Sequence, residues 1–148
     1  MKPNFIQPAF IRKNTRELRK KLEELGYEHP ADIIEDERFC IATSPISCKY
    51  FIIIKEAFDD TNPHRTWNCA GRIDCGTNEY LFLAIAALRE DTNNNQLFTN
   101  GIDWAIYRDN INNIGLSGFD YYNLPHDIRI PLNKASVKEI IEYFKKEE

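Results

Sequence analysis

The thiol of Cys75 is the side chain best placed for covalent chemistry. It stands in the segment Asp-Cys-Gly-Thr-Asn-Glu, just before an apolar run that predicts a helix. The dipole and free N–H groups at a helix N-terminus lower a thiol pKa and stabilise an oxyanion. A nucleophilic cysteine also needs a base, and His64 and His126 are the candidates, with Asp127 able to orient His126. The segment predicts either a Cys-dependent hydrolase or a small buried thiol at the start of a core helix.

The Asp-Cys-Gly triplet followed by an apolar helix resembles the nucleophile segment of papain-like and ubiquitin-like-protein proteases. In the latter family the histidine lies far upstream and begins a strand, whereas His64 lies only 11 residues before Cys75, in a loop. His126 lies downstream, as in papain-like enzymes, but in a turn before a predicted strand. The resemblance implies a nucleophile at Cys75 and leaves its partner open.

Neither a metal nor a cofactor is predicted. His64, Cys69 and Cys75 lack the closely spaced cysteine pair and the fourth ligand of a structural zinc site. Residues 91–95 match the opening of a calcium loop, but the sixth position is not glycine and the twelfth is not glutamate.

The same helix start is a candidate anion site. Gly76, Thr77 and Asn78 offer backbone N–H groups and a hydroxyl at a helix N-terminus, where phosphates bind. The neighbouring carboxylates of Asp74 and Glu79 oppose an anion, and the sequence has no Walker-type lysine. Binding of a nucleotide or phosphate is therefore kept as a second alternative function.

Basic residues cluster on the first predicted helix. Arg16, Arg19 and Lys20 share a face away from its leucines and could meet nucleic acid or an acidic protein. The net charge of −4 and the pI near 5.5 make nucleic acid an improbable partner. The alternative is a solvated face, supported by i, i+4 pairing of Glu17 with Lys21.

Three aromatic residues, Phe119, Tyr121 and Tyr122, fall in a segment predicted to be a long loop over 109–126. Tyrosine is favoured at interfaces because it buries area while keeping a polar tip. The segment is therefore either an exposed site for a protein partner or a loop that folds back over one sheet face.

Three helices are predicted to position these side chains. The first covers 14–26, with Asn14 and Glu17 as a capping box and Gly26 after its end. The second runs from about 78 to 89 with Thr77 as N-cap, and it is apolar nearly all round, which is typical of a buried central helix. The third begins at a capping box formed by Ser136 and Glu139.

Strands are predicted between these helices. Residues 38–43 and 48–58 read as a hairpin, and the run Ile52–Ile54 favours a central strand covered on both faces. Residues 72–75 are expected to form a short strand or the approach to the second helix, and Asn100-Gly101 predicts a type I′ hairpin turn. A last strand is expected at 127–132.

The element order shows no regular βαβ alternation. It predicts a single α+β domain over 1–148, with a mainly antiparallel sheet packed by about three helices and an extended lead-in over 1–13. The sequence does not fix the oligomeric state.

Two segments together, Asn-Thr-Arg-Glu-Leu at 14–18 and Cys-Gly-Thr-Asn-Glu-Tyr-Leu-Phe-Leu-Ala at 75–84, resemble a group of small uncharacterised proteins. These proteins are encoded by gut anaerobes, their prophages and phages. The resemblance implies a short accessory protein of mobile-element origin and no established activity.

Taken together, these features predict a protein that acts by binding, with another protein as its partner. The sequence contains no apolar run of membrane-spanning length and no signal-peptide pattern, and its four cysteines suit a reducing compartment. A cytoplasmic, non-enzymatic binding module is the leading expectation, with the Cys75 hydrolase and the anion binder as alternatives.

Overall fold

A computed structural model describes residues 7–30, 32–44, 47–54, 71–90, 92–111 and 115–146. Its strands form two mainly antiparallel four-stranded sheets, which with three helices give an α+β fold as predicted. The first sheet has the order β3-β2-β1-β4. Its members are β1 (Ala9–Ile11), β2 (Phe39–Thr43), β3 (Tyr50–Ile54) and β4 (Ile73–Asp74).

Strand β1 falls inside the segment predicted to be an extended lead-in, and it is a buried strand of the first sheet. Ala9, Phe10 and Ile11 are fully buried, because β1 pairs antiparallel with β2 and parallel with β4. Pro8, which lacks an N–H, stands just before the strand, where a proline is tolerated.

Strands β2 and β3 form the predicted hairpin, but β3 is not central among the described strands of its sheet. It lies at one side of its sheet, and Phe51 and Ile54 are 43% and 56% exposed. A run of β-branched residues favours a strand, yet the number of its neighbours is set by distant segments.

The second sheet has the order β7-β6-β5-β8. Its members are β5 (Leu97–Thr99), β6 (Trp104–Ile111), β7 (Leu116–Tyr121) and β8 (Asn133–Lys134). The loop predicted over 109–126 thus contains the end of β6 and all of β7. The strand predicted at 127–132 is wrong, since these residues form turns that precede β8.

The β5–β6 hairpin is confirmed, but not its type I′ turn. Gly101 has φ 95°, whereas Asn100 does not adopt positive φ. Instead, the Asn100 side chain accepts hydrogen bonds from the N–H groups of Ile102 and Asp103 at 2.9 and 2.8 Å. The side chain closes a four-residue connection, so a two-residue turn is not needed.

Helix α1 (Arg16–Glu24) presents Leu18 and Leu22 to the core, and Gly26 follows with φ 105°, as predicted. Its N-cap is Thr15 rather than Asn14, because the Thr15 hydroxyl accepts from Leu18 N at 3.2 Å. Asn14 instead donates its amide to two carbonyls of the segment 34–36.

Helix α2 (Glu79–Ala86) confirms the central position predicted for it. The buried face of the helix packs with side chains of β1, β5 and the other two helices. That face consists of Leu81, Phe82, Ile85 and Ala86. The N-cap is Asn78, which accepts from Leu81 N at 3.1 Å, so the assignment to Thr77 is wrong.

Helix α2 also ends three residues earlier than predicted. Ala87 is its C-cap, and the side chain of Gln96 donates to the Ala87 carbonyl. A side-chain donor from the loop before β5 therefore replaces the helical partner that this carbonyl lacks.

Helix α3 (Val137–Lys146) begins at the predicted capping box. Ser136 N donates to Glu139 Oε1 at 3.0 Å, and Glu139 N donates to Ser136 Oγ at 3.2 Å. Ile140 and Phe144 are buried against α2. None of the described helices has the length and apolar character needed to cross a membrane.

Candidate functional site

Cys75 lies in the core and not in an open cleft. It is 2% exposed, and its Sγ is 3.8 Å from the carbonyl oxygen of Ile73. Burial raises the pKa of the Cys75 thiol, and the nearby carboxylate of Asp74 adds to the effect. The thiol is therefore protonated at neutral pH, which is the opposite of what a nucleophile needs.

The histidines do not complete a catalytic unit with Cys75 in the described structure. His126 Nδ1 is 2.6 Å from Oδ1 of Asp103, so Asp103 and not Asp127 orients the ring. Asp127 forms an ion pair with Arg129 at 3.0 Å. His64 and Cys69 lie outside the described residues. Within those residues, no cluster of three or more His, Cys, Asp or Glu side chains could hold a metal ion.

The start of α2 satisfies its own polar groups. Gly76 N donates to Asp74 Oδ1 at 2.9 Å, and the side chain of Asn78 caps the helix. Glu79 lies in the first turn, where its charge complements the helix dipole. The carboxylates of Asp74 and Glu79 thus take the place of the predicted anion. Of the three candidate residues, only Thr77 is largely exposed.

The basic face of α1 is only partly solvated. Arg16 and Lys20 are exposed as expected, but Arg19 is 4% exposed. The Arg19 guanidinium donates to Asn14 Oδ1 and to Glu35 Oε1, the latter at 3.1 Å. Asn14, which is itself bonded to the segment 34–36, and Glu35 supply these contacts. Helical periodicity gives no information on such a distant segment.

Lys21 forms a different ion pair from the one predicted. Its Nζ lies 2.9 Å from Oε1 of Glu79, while Lys13 Nζ lies 3.1 Å from Oε2 of the same carboxylate. The hydrogen bond from Lys21 and that from Lys13 lower the pKa of Glu79. These pairs connect α1 and its preceding segment to α2.

Phe119 and Tyr121 belong to β7 rather than to a loop. Together with Phe98 of β5 and Tyr107 of β6 they form an aromatic face on the outer side of the second sheet. The centroid of the Phe119 ring lies 5.2 Å from the ring centroid of Phe98, 5.7 Å from that of Tyr107 and 6.3 Å from that of Tyr121. All four side chains are partly exposed.

Tyr122 lies on the opposite side of the same sheet, towards α3. Its ring is stacked on that of Tyr143 with centroids 6.2 Å apart, and Tyr143 is stacked on Trp104 at 4.3 Å. Burial raises the pKa of the Tyr122 phenol to about 12. The three predicted aromatic residues therefore serve two different surfaces.

A groove runs along α2 on the Tyr122 side, and we call it the α2 groove. Its cavity has a volume of about 360 Å³, within the range of ligand-binding clefts. The floor is formed by Leu83, Ala84 and Ala87, and Tyr80 stands beside them, 71% exposed. Residues 80, 83, 84 and 87 follow the i, i+3, i+4, i+7 spacing, so a second face of α2 lies along an opening.

The walls of the α2 groove come from α1, the second sheet and α3. Apolar wall residues are Leu25, Leu97, Ile106 and Phe144. At one end the groove meets a second cavity of about 730 Å³, which shares Tyr80, Tyr122 and Phe144 with it. The two cavities together have room for more than one side chain.

Charges stand at the rim of the α2 groove. Lys21 and Glu24 lie on the α1 side, and Arg108 lies on the β6 side. The Arg108 guanidinium donates to the neutral Asn95 Oδ1, and in the described part of the chain it has no carboxylate within ion-pair distance. Among the described residues Arg108 therefore has no ion-pair partner, and its positive charge lies at the rim of the groove.

The sequence did not reveal the α2 groove. Its signal in the sequence is the apolar character of α2 on all sides, which by itself predicts burial. Comparison of this chain with protein-family models, curated proteins and solved structures finds no match.

Proposed function

We propose that this protein acts by binding another protein, and that the α2 groove receives an apolar segment of that partner. The observation that carries the proposal is the open apolar face of α2. Leu83 and Ala84 are only partly buried, although the opposite face of α2 lies in the core. Covering this face with a partner's side chains would remove apolar surface from water.

The charges of the rim indicate what should flank the apolar segment. Arg108 has no acidic partner among the described residues, and Lys21 is 48% exposed although it pairs with Glu79. An aspartate or glutamate next to the apolar side chains would complement Arg108. We therefore commit to an occupant that carries one or two large apolar residues beside an acidic one.

Hydrolase chemistry is not part of the proposal, because the Cys75 thiol is buried and its pKa is raised. The cytoplasm is the proposed location. Cys48 and Cys75 are free thiols, as expected in a reducing compartment. An interaction role also suits the accessory protein of mobile-element origin that the sequence resemblance implies.

A library of random dodecapeptides displayed on phage tests the proposal with the full chain as bait. We expect selected peptides to share a large apolar residue next to Asp or Glu. Synthetic versions should bind with a Kd that calorimetry can measure. Their binding should weaken at least about tenfold, or about 1.4 kcal/mol, with Leu83→Lys.

The matched control is Ile102→Lys, which places the same charge at a 63% exposed apolar residue outside the groove. Arg108→Glu should weaken acidic peptides selectively. Selection without a consensus, or equal binding to the folded Leu83→Lys variant and the wild type, contradicts the proposal. Circular dichroism establishes that each variant is folded.

A further inference from the structure

We propose that a second copy of this chain pairs with β7, so that the second sheet continues across a two-fold axis. This inference does not depend on the α2 groove. It rests on the edge position of β7 among the described strands, on its aromatic face and on the position of Asp120 in the strand.

Strand β7 is at the edge of its sheet, with β6 as its partner on one side. Tyr122 N donates to the Trp104 carbonyl at 3.0 Å, which fixes the residues whose backbone groups point to β6. Hydrogen-bonded and non-hydrogen-bonded pairs alternate in an antiparallel ladder. The pairs Ala105–Tyr121 and Tyr107–Phe119 are therefore the non-hydrogen-bonded ones.

It follows that the N–H and C=O groups of Ser117, Phe119 and Tyr121 point away from β6. Strand β7 contains neither proline nor lysine, which commonly protect edge strands, and Leu116 is 62% exposed. Within the described residues no other strand pairs with this edge. The edge is therefore a template for another strand.

The residues of β7 favour one antiparallel register with a second copy. When the two-fold axis passes through Phe119, the outward backbone groups meet, and about six hydrogen bonds join the strands. Phe119 then faces Phe119 of the second copy, and Asp120 faces Gly118. A shift that moves the axis to Asp120 would place two carboxylates opposite each other, which is unfavourable.

The aromatic face of the sheet supports the same register. The rings of Phe98, Tyr107 and Phe119 already contact one another across three strands. A facing Phe119 would extend this ladder across the axis, and cross-strand aromatic pairs stabilise sheets. Moving the axis the other way, to Gly118, would place Phe119 opposite Ser117 and lose the aromatic pair.

Sedimentation equilibrium of the full chain tests the proposal. The wild type should show a mass of about 35 kDa, twice the 17.4 kDa of one chain. Phe119→Lys should reduce the mass to that of a monomer, whereas Leu124→Lys, at a 91% exposed residue outside β7, should not. Leu83→Lys, which addresses the α2 groove, should also leave the dimer intact.

Cysteine cross-linking tests the register and does not rely on Phe119→Lys remaining folded. In the proposed register Phe119→Cys places two Cα atoms about 5.5 Å apart, so mild oxidation should give a disulfide-linked dimer. Ser117→Cys is the matched control, since its two copies would be separated by about 13 Å, or four residues along the strand. The wild type controls for the native cysteines.

Two results overturn the inference. One is a wild type that remains monomeric at the highest soluble concentration and a Phe119→Cys variant that does not cross-link. The other is a dimer in which Ser117→Cys cross-links as readily as Phe119→Cys, because the strands would then pair in another way or not at all.

Discussion

The ring of His126 is anchored to the buried carboxylate of Asp103, with Nδ1 and Oδ1 2.6 Å apart. Only 5% of the Asp103 side chain is exposed, whereas 69% of the His126 side chain is. Asp103 also accepts from the backbone N–H of His126 at 3.2 Å. One carboxylate thus connects the β5–β6 loop to the segment that follows β7.

This contact predicts a pH-dependent contribution to stability. The hydrogen bond from His126 is the main cause that lowers the pKa of Asp103 in the folded protein. The ionised carboxylate therefore stabilises the fold above the pKa of an unfolded aspartate, about 3.9. That stabilisation is lost as the pH falls through the lowered pKa of the folded state.

We expect Asp103→Asn to lower the Tm at neutral pH. The difference in Tm between this variant and the wild type should narrow as the pH falls below about 4. Thermal denaturation, monitored by circular dichroism between neutral and acid pH, measures the Tm of both proteins. Asp109→Asn, at an exposed aspartate of β6, is the control and should show no comparable gap. A gap of constant size across the range would refute the assignment to the Asp103 carboxylate.

Cys75 should resist thiol reagents in the native protein. Since the thiol is buried and its pKa is raised, reaction requires local opening of the structure. We expect labelling by iodoacetamide to be at least about 100-fold slower than in denaturant, which corresponds to about 2.7 kcal/mol of protection. Mass spectrometry of the labelled peptides distinguishes Cys75 from the other cysteines.

Leu124→Cys supplies the matched control, because this residue is 91% exposed and its thiol should react quickly. If Cys75 reacted at the rate of the introduced cysteine, its burial in the core would be disproved.

Arg19 and Lys20 are neighbours on α1 whose replacement should have different effects. Arg19→Met retains an apolar stem but leaves Asn14 Oδ1 without its donor, so we expect a loss of about 1–3 kcal/mol in the free energy of unfolding. The contact with Glu35 should add little, since that side chain is 67% exposed. Lys20→Met should change stability by less than about 0.5 kcal/mol.

Urea denaturation of both variants measures this difference. Equal effects would mean that Arg19 is solvated like Lys20 and that the segment around Glu35 does not pack on α1.

Phe82 and Tyr80 test the two sides of α2. Phe82 is fully buried between the sheets and helices, so Phe82→Ala should cost about 3–5 kcal/mol. That is a large share of the roughly 5–15 kcal/mol that stabilises a typical domain. Tyr80→Ala, at a 71% exposed residue, should cost less than about 1 kcal/mol.

Differential scanning calorimetry of the two variants gives the comparison. A small effect of Phe82→Ala would show that α2 is not the centre of the core. A large effect of Tyr80→Ala would show that the α2 groove is closed in solution.

Local patterns predicted the three helices well because each depends on residues close in sequence. The leucine spacing placed α1, the apolar content placed α2, and the Ser136–Glu139 box placed the start of α3. The N-caps were misassigned by one residue at Asn14 and Thr77. In each case two adjacent polar residues could cap, and Asn14 and Asn78 differ from their neighbours by tertiary hydrogen bonds to the segment 34–36 and to Phe144.

Strand pairing and the groove could not be predicted in the same way. The buried state of Ala9–Ile11 depends on β2 and β4, and the edge position of β3 depends on the strands available to it. Strand β7 was missed because Gly118 and the preceding asparagine-rich stretch are typical of a loop. The burial of Arg19 likewise depends on the segment around Glu35, 16 residues further on.

The position of β1 between β2 and β4 bears on how the chain is made. Ala9 pairs with Ile73, a residue 64 positions later, so the nascent polypeptide cannot complete its first sheet when β1 leaves the ribosome. At about 5–20 residues per second, several seconds pass between synthesis of the apolar Ala-Phe-Ile strand and synthesis of Ile73. A chaperone that shields this strand during that interval should raise the yield of native protein, and a tag fused directly to it should lower that yield.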